Sequence, residues 1–226
     1  MAGNLAISLS QLGHKVCVVD FDLGAGGLDQ ILGLSPEKTI ANLVRDDNPD
    51  HTGNYLTPFS DNLSLLAAPE RPELSLTLDS SMAHAILSNL KQSFDFIVVD
   101  MPATIESHVL ATLEMSDFVG LLVENDILSA KAAVFALQNL ALLGYQLQTM
   151  HLIVNKFNWR GLSLDEITEA LGIPIFWRVD RDKVLVDSVD NAKPFVIDKP
   201  KAAVTANLRR LALALSIEFG KTRTRR

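Results

Sequence analysis

The chain has 226 residues, of which 48% are hydrophobic and 21% are charged, a composition that excludes intrinsic disorder, collagen-like repeats and coiled coils. Its net charge of −7 is unevenly distributed, since residues 201–226 carry +6 and the other 200 residues carry −13. An acidic body of this kind argues against DNA as the main partner, because phosphate contacts require clusters of basic residues.

The single cysteine, Cys17, excludes a disulfide framework and any multi-cysteine metal site within one chain. Because it lies inside a predicted strand, we expect it to be a small buried apolar side chain. No apolar run reaches the ~18 residues that a membrane-spanning helix needs, and the residues after Met1 do not have the pattern of a secretory signal. We therefore expect a cytoplasmic protein.

Short apolar runs alternate along the chain with segments of helical periodicity. The helical segments are Ala2–Leu12, Met82–Lys91, Leu128–Leu143 and Ala202–Phe219, with another that begins at a capping box of Ser163 and Glu166 and ends near Gly172. The predicted strands are Lys15–Asp20, Leu63–Ala67, Phe94–Asp100, Phe118–Val123, His151–Asn155 and Pro174–Trp177. This alternation predicts an α/β fold, with an open, mostly parallel sheet and helices on both faces. We assign a single domain to residues 1–220 and a basic tail to residues 221–226.

Acidic residues follow two of these strands, at the sheet edge where open α/β folds bind their ligands. Asp20 and Asp22 end the first strand and precede the glycine-rich segment Gly24–Gly27, which allows the backbone to bend away from a bound group. Asp100 ends a second strand and is followed by Pro102. Carboxylates at these positions suit a magnesium–phosphate group. Aspartate is also common after strands as a turn former, so each pattern alone has this second interpretation.

The sequence resembles the MinD/ParA group of deviant P-loop ATPases and, within that group, the CpaE/TadZ pilus-assembly branch. The matching segments are NLAISLSQLGHKVCVVDFDLGAGGLDQILGL, LSLLAAPERPEL, FDFIVVDMPATIESHVLATLEMSD, LIVNKF, the stretch from Asp180 through DSVDNAKPF, and the final helix. They run from residue 3 to about residue 216, and LLAAPERPE is the segment most specific to the CpaE/TadZ branch. The resemblance implies a P-loop NTPase-like, three-layer α/β/α fold.

The resemblance also implies roles for the residues at the two strand ends. Asp20 and Asp22 match the switch I pair of the family, in which Asp22 orients the water that attacks the γ-phosphate of ATP. Asp100 matches the Walker B aspartate, which binds Mg²⁺ through water. Pro102 opens the segment that the family uses as switch II.

Four further residues match positions near the nucleotide or the subunit interface in relatives. Asn155 matches an asparagine that reads the adenine edge, and Asp180 falls where a contact to the base is usual. Asp126 and Lys131 fall in a segment that lies near the face joining two subunits. Other interpretations stay open, since Asn155 could cap a turn, Asp180 could begin the helix that follows it, and Lys131 could be ordinary helix surface.

The family's lysine-containing glycine loop ends in Gly-Lys-Thr-Thr and directly precedes the helix that here begins at Ala2. The 226-residue sequence contains no segment of the pattern Gly-x-x-x-x-Gly-Lys-Ser/Thr. Backbone N–H groups and the lysine of such a loop supply most of the binding strength for a triphosphate. We therefore expect a truncated form of a longer protein that lacks the family's first strand and has lost ATP and Mg²⁺ binding and ATP hydrolysis. Thr104 is a second departure, because relatives often have glycine there and a β-branched residue restricts the backbone of switch II.

Three functions are compatible with the resemblance. The first is a CpaE/TadZ-like protein that localises or regulates pilus assembly or tight-adherence secretion as a nucleotide-dependent homodimer, with pilus or secretion proteins as partners. The second is a non-catalytic scaffold of the same fold. The third is a MinD/ParA-type ATPase that positions the septum or DNA. The basic tail at 221–226 would allow peripheral contact with an anionic surface such as the inner face of the membrane or a cell pole.

Overall fold

The computed structural model describes residues 1–70, 78–146 and 150–220. The chain divides into two compact units, of which the first comprises Met1–Met115 and Val186–Arg226 and the second comprises Ser116–Leu185. Each unit contains a sheet in which parallel pairing dominates, so the predicted α/β class is confirmed. The assignment of residues 1–220 to one domain stays a prediction, and the basic tail at 221–226 lies outside the described residues.

The helices and strands follow one another in the order that the apolar runs predict, with several short elements added. The helices are α1 (Ala2–Gln11), α2 (Leu28–Leu32), α3 (Ile40–Asp46), α4 (Ser80–Leu90), α5 (Ser107–Met115), α6 (Ile127–Leu142), α7 (Leu164–Leu171), α8 (Lys183–Asp190), α9 (Phe195–Asp198) and α10 (Ala203–Phe219), with a 3₁₀ segment at Pro49–Tyr55. The strands are β1 (Val16–Asp20), β2 (Thr57–Ser60), β3 (Leu63–Leu66), β4 (Phe96–Asp100), β5 (Val119–Glu124), β6 (Met150–Phe157) and β7 (Ile175–Asp180).

The sheet of the first unit has the strand order β2-β3-β1-β4. Strand β1 is parallel to both β3 and β4 and is buried at all five positions. Strand β2 pairs antiparallel to β3 at the sheet edge and was not among the predicted strands. Its sequence, Thr-Pro-Phe-Ser, has no apolar run, and its proline is a residue that sheets accept mainly at edges.

Helices cover both faces of this sheet. Helix α1 packs against β1, β3 and β4 and against α10 on one face. On the other face, alternate β1 side chains enter a core that includes residues of α3, α4 and α5. Cys17 belongs to this core and is fully buried, as the sequence predicts, and burial raises the pKa of its thiol.

The sheet of the second unit consists of three parallel strands in the order β5-β6-β7, and α6 packs against both β5 and α7. The predicted capping box is present, because the Ser163 hydroxyl accepts from the backbone N–H of Glu166 while the Glu166 carboxylate accepts from the Ser163 backbone. Helix α7 ends at Gly172, whose φ of 65° lies in the left-handed region that favours glycine.

Strands β4 and β5 each lie at the edge of their own sheet. Among the described residues, β4 pairs with β1 alone, and its five residues are half-buried although four of them are apolar. The neighbouring β1 is completely covered by comparison. In the part of the chain that the structure describes, no helix has both the length and the apolar composition to cross a bilayer.

Candidate functional site

The carboxyl ends of β1 and β4 bring Asp20 and Asp100 side by side. The two residues are direct partners in the parallel register, and the backbone N–H of Phe21 continues the pairing by donating to the carbonyl of Asp100 at 2.9 Å. The sequence predicts this juxtaposition, because neighbouring parallel strands end at the same edge of a sheet.

Asp20 is almost completely buried, with 2% of its surface exposed. Its Oδ2 accepts hydrogen bonds from the backbone N–H groups of Gly27 and Leu28, both at 3.0 Å, and its Oδ1 accepts from Asp22 at 3.3 Å. The carboxylate therefore holds the loop between β1 and α2. Its predicted contact with a nucleotide stays a prediction.

Gly26 allows the loop between β1 and α2 to pack closely against its neighbours. A Cβ added there would lie 2.4 Å from the Cβ of Ala68, 2.7 Å from the carbonyl oxygen of Asp22 and 2.8 Å from Oδ2 of Asp20. No side chain fits in that space. The loop can approach Ala68 and Asp20 this closely because residue 26 is glycine.

Asp20, Asp22 and Asp100 form one electrostatically coupled acidic cluster. Burial raises the pKa of Asp20 to about 6; the neighbouring Asp100 carboxylate also raises it, whereas hydrogen bonds from Leu28, Asp22 and Gly27 act in the opposite direction. Burial likewise raises the pKa of Asp100, with an opposing effect of the Met1 α-amino group and a further increase from Asp22. The amino end of α1 therefore lies close enough to Asp100 to influence its charge.

A bound cation would reduce the repulsion within this cluster, because opposite charge stabilises the ionised form of each carboxylate. Among the described residues, however, no group of three or more His, Cys, Asp or Glu side chains has the arrangement of a direct metal site. The predicted contact of Asp100 with Mg²⁺ through water stays a prediction.

Asp22 and Pro102 lie half-buried on the two loops that leave β1 and β4. Oδ1 of Asp22 accepts a hydrogen bond from the backbone N–H of Ala25 at 3.1 Å, so this carboxylate stabilises a turn in the structure as it stands. The catalytic role of Asp22 and the switch II role of Pro102 stay predictions.

A buried histidine, which no sequence motif indicates, connects the two loops. His108 is 2% exposed, and its Nε2 lies 3.2 Å from the carbonyl oxygen of Phe21. Because a carbonyl only accepts, Nε2 carries the hydrogen. Nδ1 of the same ring lies 3.7 Å from Glu106, and Glu106 accepts from the Thr104 hydroxyl at 2.9 Å. The segment after Pro102 is thereby linked to the backbone between Asp20 and Asp22.

We expect His108→Ala to lower the free energy of unfolding by about 2 kcal/mol, since it removes a buried hydrogen bond and leaves a cavity. Amide hydrogen exchange at residues 21–28 should accelerate more than exchange in the second unit. His84→Ala is the matched control, because His84 is exposed on α4. Unchanged exchange at residues 21–28 in His108→Ala would contradict the proposed link between the loops.

Asn155 and Asp180 lie in the second unit, near the carboxyl ends of β6 and β7. Asn155 is half-buried and pairs in register with Glu124. The next residue, Lys156, has a φ of 50° and an ion pair with Glu124 at 2.6 Å. Asp180 is exposed and forms an ion pair with Arg178 at 2.8 Å. The predicted contacts of Asn155 and Asp180 with an adenine base stay predictions.

Asp126 and Lys131 have positions that agree with ordinary helix structure. Asp126 is the N-cap of α6, and its carboxylate accepts from the backbone N–H of Ser129 at 2.9 Å. Lys131 is exposed on the same helix. Their predicted place near a subunit interface stays a prediction.

No protein-family model matches the sequence. The septum site-determining protein MinD of Helicobacter pylori is 28% identical to it over 240 aligned residues, which cover 99% of this chain and 88% of that protein. The structure of a ParA family ATPase from Chlorobium tepidum has a TM-score of 0.86 to this fold at 23% identity, over 94% of this chain and 91% of that one. The predicted resemblance to the MinD/ParA superfamily is therefore confirmed, in sequence by MinD and in fold by the ParA family ATPase.

A second MinD/ParA structure supports the same fold. Septum site-determining protein MinD from Pyrococcus horikoshii, complexed with Mg-ADP, has a TM-score of 0.81 at 20% identity and covers 95% of this chain and 88% of that one. The predicted P-loop NTPase-like, three-layer fold is therefore confirmed. These relatives do not show the CpaE/TadZ branch, and the segment LLAAPERPE extends into residues 71–77, which lie outside the described residues.

Proposed function

We propose that this chain is a MinD/ParA-type positioning protein that pairs with a second copy in response to a nucleotide bound at the carboxyl ends of β1 and β4. The observation that carries the proposal is the coupled cluster of Asp20, Asp22 and Asp100 close to the amino end of α1. The positive end of a helix dipole attracts a phosphate. Because the pKa values of Asp20 and Asp100 are raised, a nearby cation would stabilise the ionised forms of these two carboxylates.

In this proposal the ligand is ATP with Mg²⁺. Asp100 holds the metal through water, Asp22 orients the attacking water, and Asp20 fixes the loop that carries Asp22. Pro102 begins the segment that responds to the γ-phosphate. Asn155 and Asp180 are assigned to the base on the resemblance alone.

The MinD-type function is favoured over the CpaE/TadZ pilus role. The relative that covers 99% of this chain is a septum site-determining protein, whereas the pilus role and its secretion partners rest on one short segment. The acidic body favours a partner other than DNA. Peripheral membrane contact through the tail at 221–226 is proposed only as a consequence of its charge.

The alternative of a non-catalytic scaffold is supported by the lack of a Gly-x-x-x-x-Gly-Lys-Ser/Thr segment in the sequence. Phosphoryl transfer depends on the positioning that such a loop provides. The two alternatives make different predictions for a chain to which that loop has been added. The ATPase should then bind a nucleotide at the Asp cluster, whereas the scaffold should not.

The test compares the 226-residue chain with a chimera that carries a strand and a Gly-Lys-Thr-Thr loop directly before Ala2. We expect the chimera to bind fluorescent Mg-ATP at least tenfold more tightly than the chain alone, about 1.4 kcal/mol, and to dimerise with ATP. Asp22→Ala in the chimera should stop hydrolysis, while Asp61→Ala, in an exposed turn, should not.

Two results would contradict the proposal. A chimera that binds no nucleotide would leave the scaffold as the better explanation. Tight ATP binding by the 226-residue chain that is lost on Asp22→Ala would contradict the expected loss of binding in this chain.

A further inference from the structure

The loop after β6 carries an exposed tryptophan at the edge of the second sheet where its strands end. Trp159 is 83% exposed, and its ring meets that of Phe157, the last residue of β6, edge to face at a centroid distance of 5.0 Å. The Arg178 guanidinium of β7 lies over both rings, 5.5 Å from the centroid of Trp159 and 5.0 Å from that of Phe157. We call these three side chains the Trp159 stack.

Asp180 fixes the guanidinium of this stack. Its two carboxylate oxygens accept from Nε of Arg178 at 2.8 Å and from Nη2 at 3.4 Å. Two such hydrogen bonds define the plane of a guanidinium as well as its position. Asp180 also pairs in register with Phe157 on the neighbouring strand. The end of the sheet therefore holds both the cation and the ring beside it.

A buried asparagine holds the loop that carries Trp159. Asn125 follows β5 and is 1% exposed, and its Nδ2 donates to the carbonyls of Asn158 at 2.6 Å and Leu162 at 3.1 Å. Its Oδ1 accepts from the backbone N–H of Asn158 at 3.1 Å. Gly161 allows this close approach, because a Cβ there would overlap the carbonyl oxygen of Asn125. The loop is therefore ordered without a ligand, and little entropy is lost by ordering it on binding.

Trp159 has one covered face and one open face. Arg178 lies over the ring, and the high exposure of the side chain leaves the opposite face to solvent. A single exposed apolar side chain is common on protein surfaces and by itself indicates nothing. Here, however, the ring is held in place and lies at the strand ends, where open parallel sheets bind their ligands. An immobilised aromatic face at such an edge is suited to stacking on a planar ring.

We propose that the open face of Trp159 stacks on the base of the nucleotide and favours purines over pyrimidines. The inference rests on the proposed function, because it names the group that the second unit presents to that nucleotide. Every base has an aromatic face, so stacking depends on ring area and distinguishes adenine from guanine only weakly. The Trp159 stack thus selects purines, and Asn155 is the candidate for reading the edge of the base.

Saturation-transfer NMR on the 226-residue chain tests the stacking directly, because it detects weak binding and requires no triphosphate loop. The probes are AMP, GMP and CMP. We expect saturation of the H8 protons of AMP and GMP to exceed that of the H6 proton of CMP at least threefold, because a purine stacks over a larger area. Trp159→Ala should remove the purine signal, and Trp159→Phe should retain most of it, because phenylalanine keeps an aromatic face.

Leu142→Ala is the matched control for these variants. Leu142 is an 84% exposed apolar side chain of the same unit, but it lies at the end of α6 that is remote from the carboxyl ends of the strands. This variant should give the same purine signal as the original chain. Equal AMP saturation in Trp159→Ala and in the original chain would overturn the proposal, as would the absence of any AMP signal from the original chain.

The chimera with the Gly-Lys-Thr-Thr loop measures what the base contributes to the binding of a complete nucleotide. Trp159→Ala in the chimera should weaken Mg-ATP binding at least fivefold, about 1 kcal/mol. Binding of inorganic tripolyphosphate, which has no base, should be unchanged. An equal loss for both ligands would overturn the assignment of Trp159 to the base, and so would an unchanged affinity for Mg-ATP.

The two experiments distinguish failure of this inference from failure of the proposed function. A chimera that binds neither Mg-ATP nor tripolyphosphate would contradict the proposed function, whereas purine saturation that depends on Trp159 in the 226-residue chain would still support the stack. A chimera that binds both ligands and is insensitive to Trp159→Ala would overturn the stack and leave the proposed function intact.

Discussion

Gly26→Ala is expected to lower the free energy of unfolding by about 2–3 kcal/mol. The added methyl group would lie 2.4 Å from the Cβ of Ala68 and within 2.8 Å of oxygens of Asp20 and Asp22. The Cβ of Ala68 and the carbonyl oxygen of Asp22 move only with the backbone, and Oδ2 of Asp20 is held by hydrogen bonds from Gly27 and Leu28, so the loop itself must move. Overpacking of this kind typically costs about 1–3 kcal/mol, and loss of the hydrogen bonds that Asp20 accepts from Gly27 and Leu28 adds to it.

Urea unfolding of Gly26→Ala and Gly24→Ala provides the measurement and its control. Gly24 belongs to the same loop, but a Cβ added there meets nothing within 4 Å. We expect Gly24→Ala to change the unfolding free energy by less than about 0.5 kcal/mol. If the two variants were equally stable, the close approach of the loop to Ala68 would not be a requirement of the fold.

Asp20→Asn is expected to stabilise the protein at pH 7 and to leave its stability nearly unchanged at pH 4. The pKa of Asp20 is about 6 in the folded chain against an ordinary 3.8, so between these values the folded state binds more protons than the unfolded state. The contribution of Asp20 to the free energy of unfolding is therefore fully present below about pH 4 and is lost as the pH rises through 6. The full loss is at most about 3 kcal/mol.

Asparagine removes the buried charge and keeps an oxygen that can accept from Gly27 and Leu28. The free energy of unfolding of Asp20→Asn, relative to that of the original chain, should therefore increase between pH 4 and pH 7. Unfolding midpoints in urea at one-unit pH intervals measure this difference. Asp61→Asn, at an exposed turn, is the control and should give curves parallel to those of the original chain. An Asp20→Asn variant that is less stable than the original chain at pH 7 would show that the N–H donors fully compensate the charge.

The apolar runs of the sequence are sufficient to predict six of the seven strands in the described part of the chain and its longest helices, because each of those six strands contains a short run of mostly hydrophobic residues. Strand β2 cannot be predicted in this way, since Pro58 interrupts it and it contains no run of apolar residues. The same limit applies to short helices such as α2, whose five residues are held by neighbours more than by their own periodicity.

Some features of the candidate site can likewise be predicted from the sequence, and others cannot. The meeting of Asp20 and Asp100 follows from parallel strand ends and can be predicted. The hydrogen bonds that Asp20 accepts from Gly27 and Leu28 cannot be predicted, because they depend on the fit of the loop against Ala68, which follows β3 and is distant in sequence. His108 carries no motif, and its importance arises only where the two loops meet.

The edge position of strand β4 affects how the protein aggregates in concentrated solution. Its outer backbone groups face away from β1, and Phe96, Ile97, Val98 and Val99 are residue types that favour extended structure. A sheet edge of this composition is a template on which strands of other molecules can add. We therefore expect β4 to be one site at which unfolded chains can attach when the protein is heated.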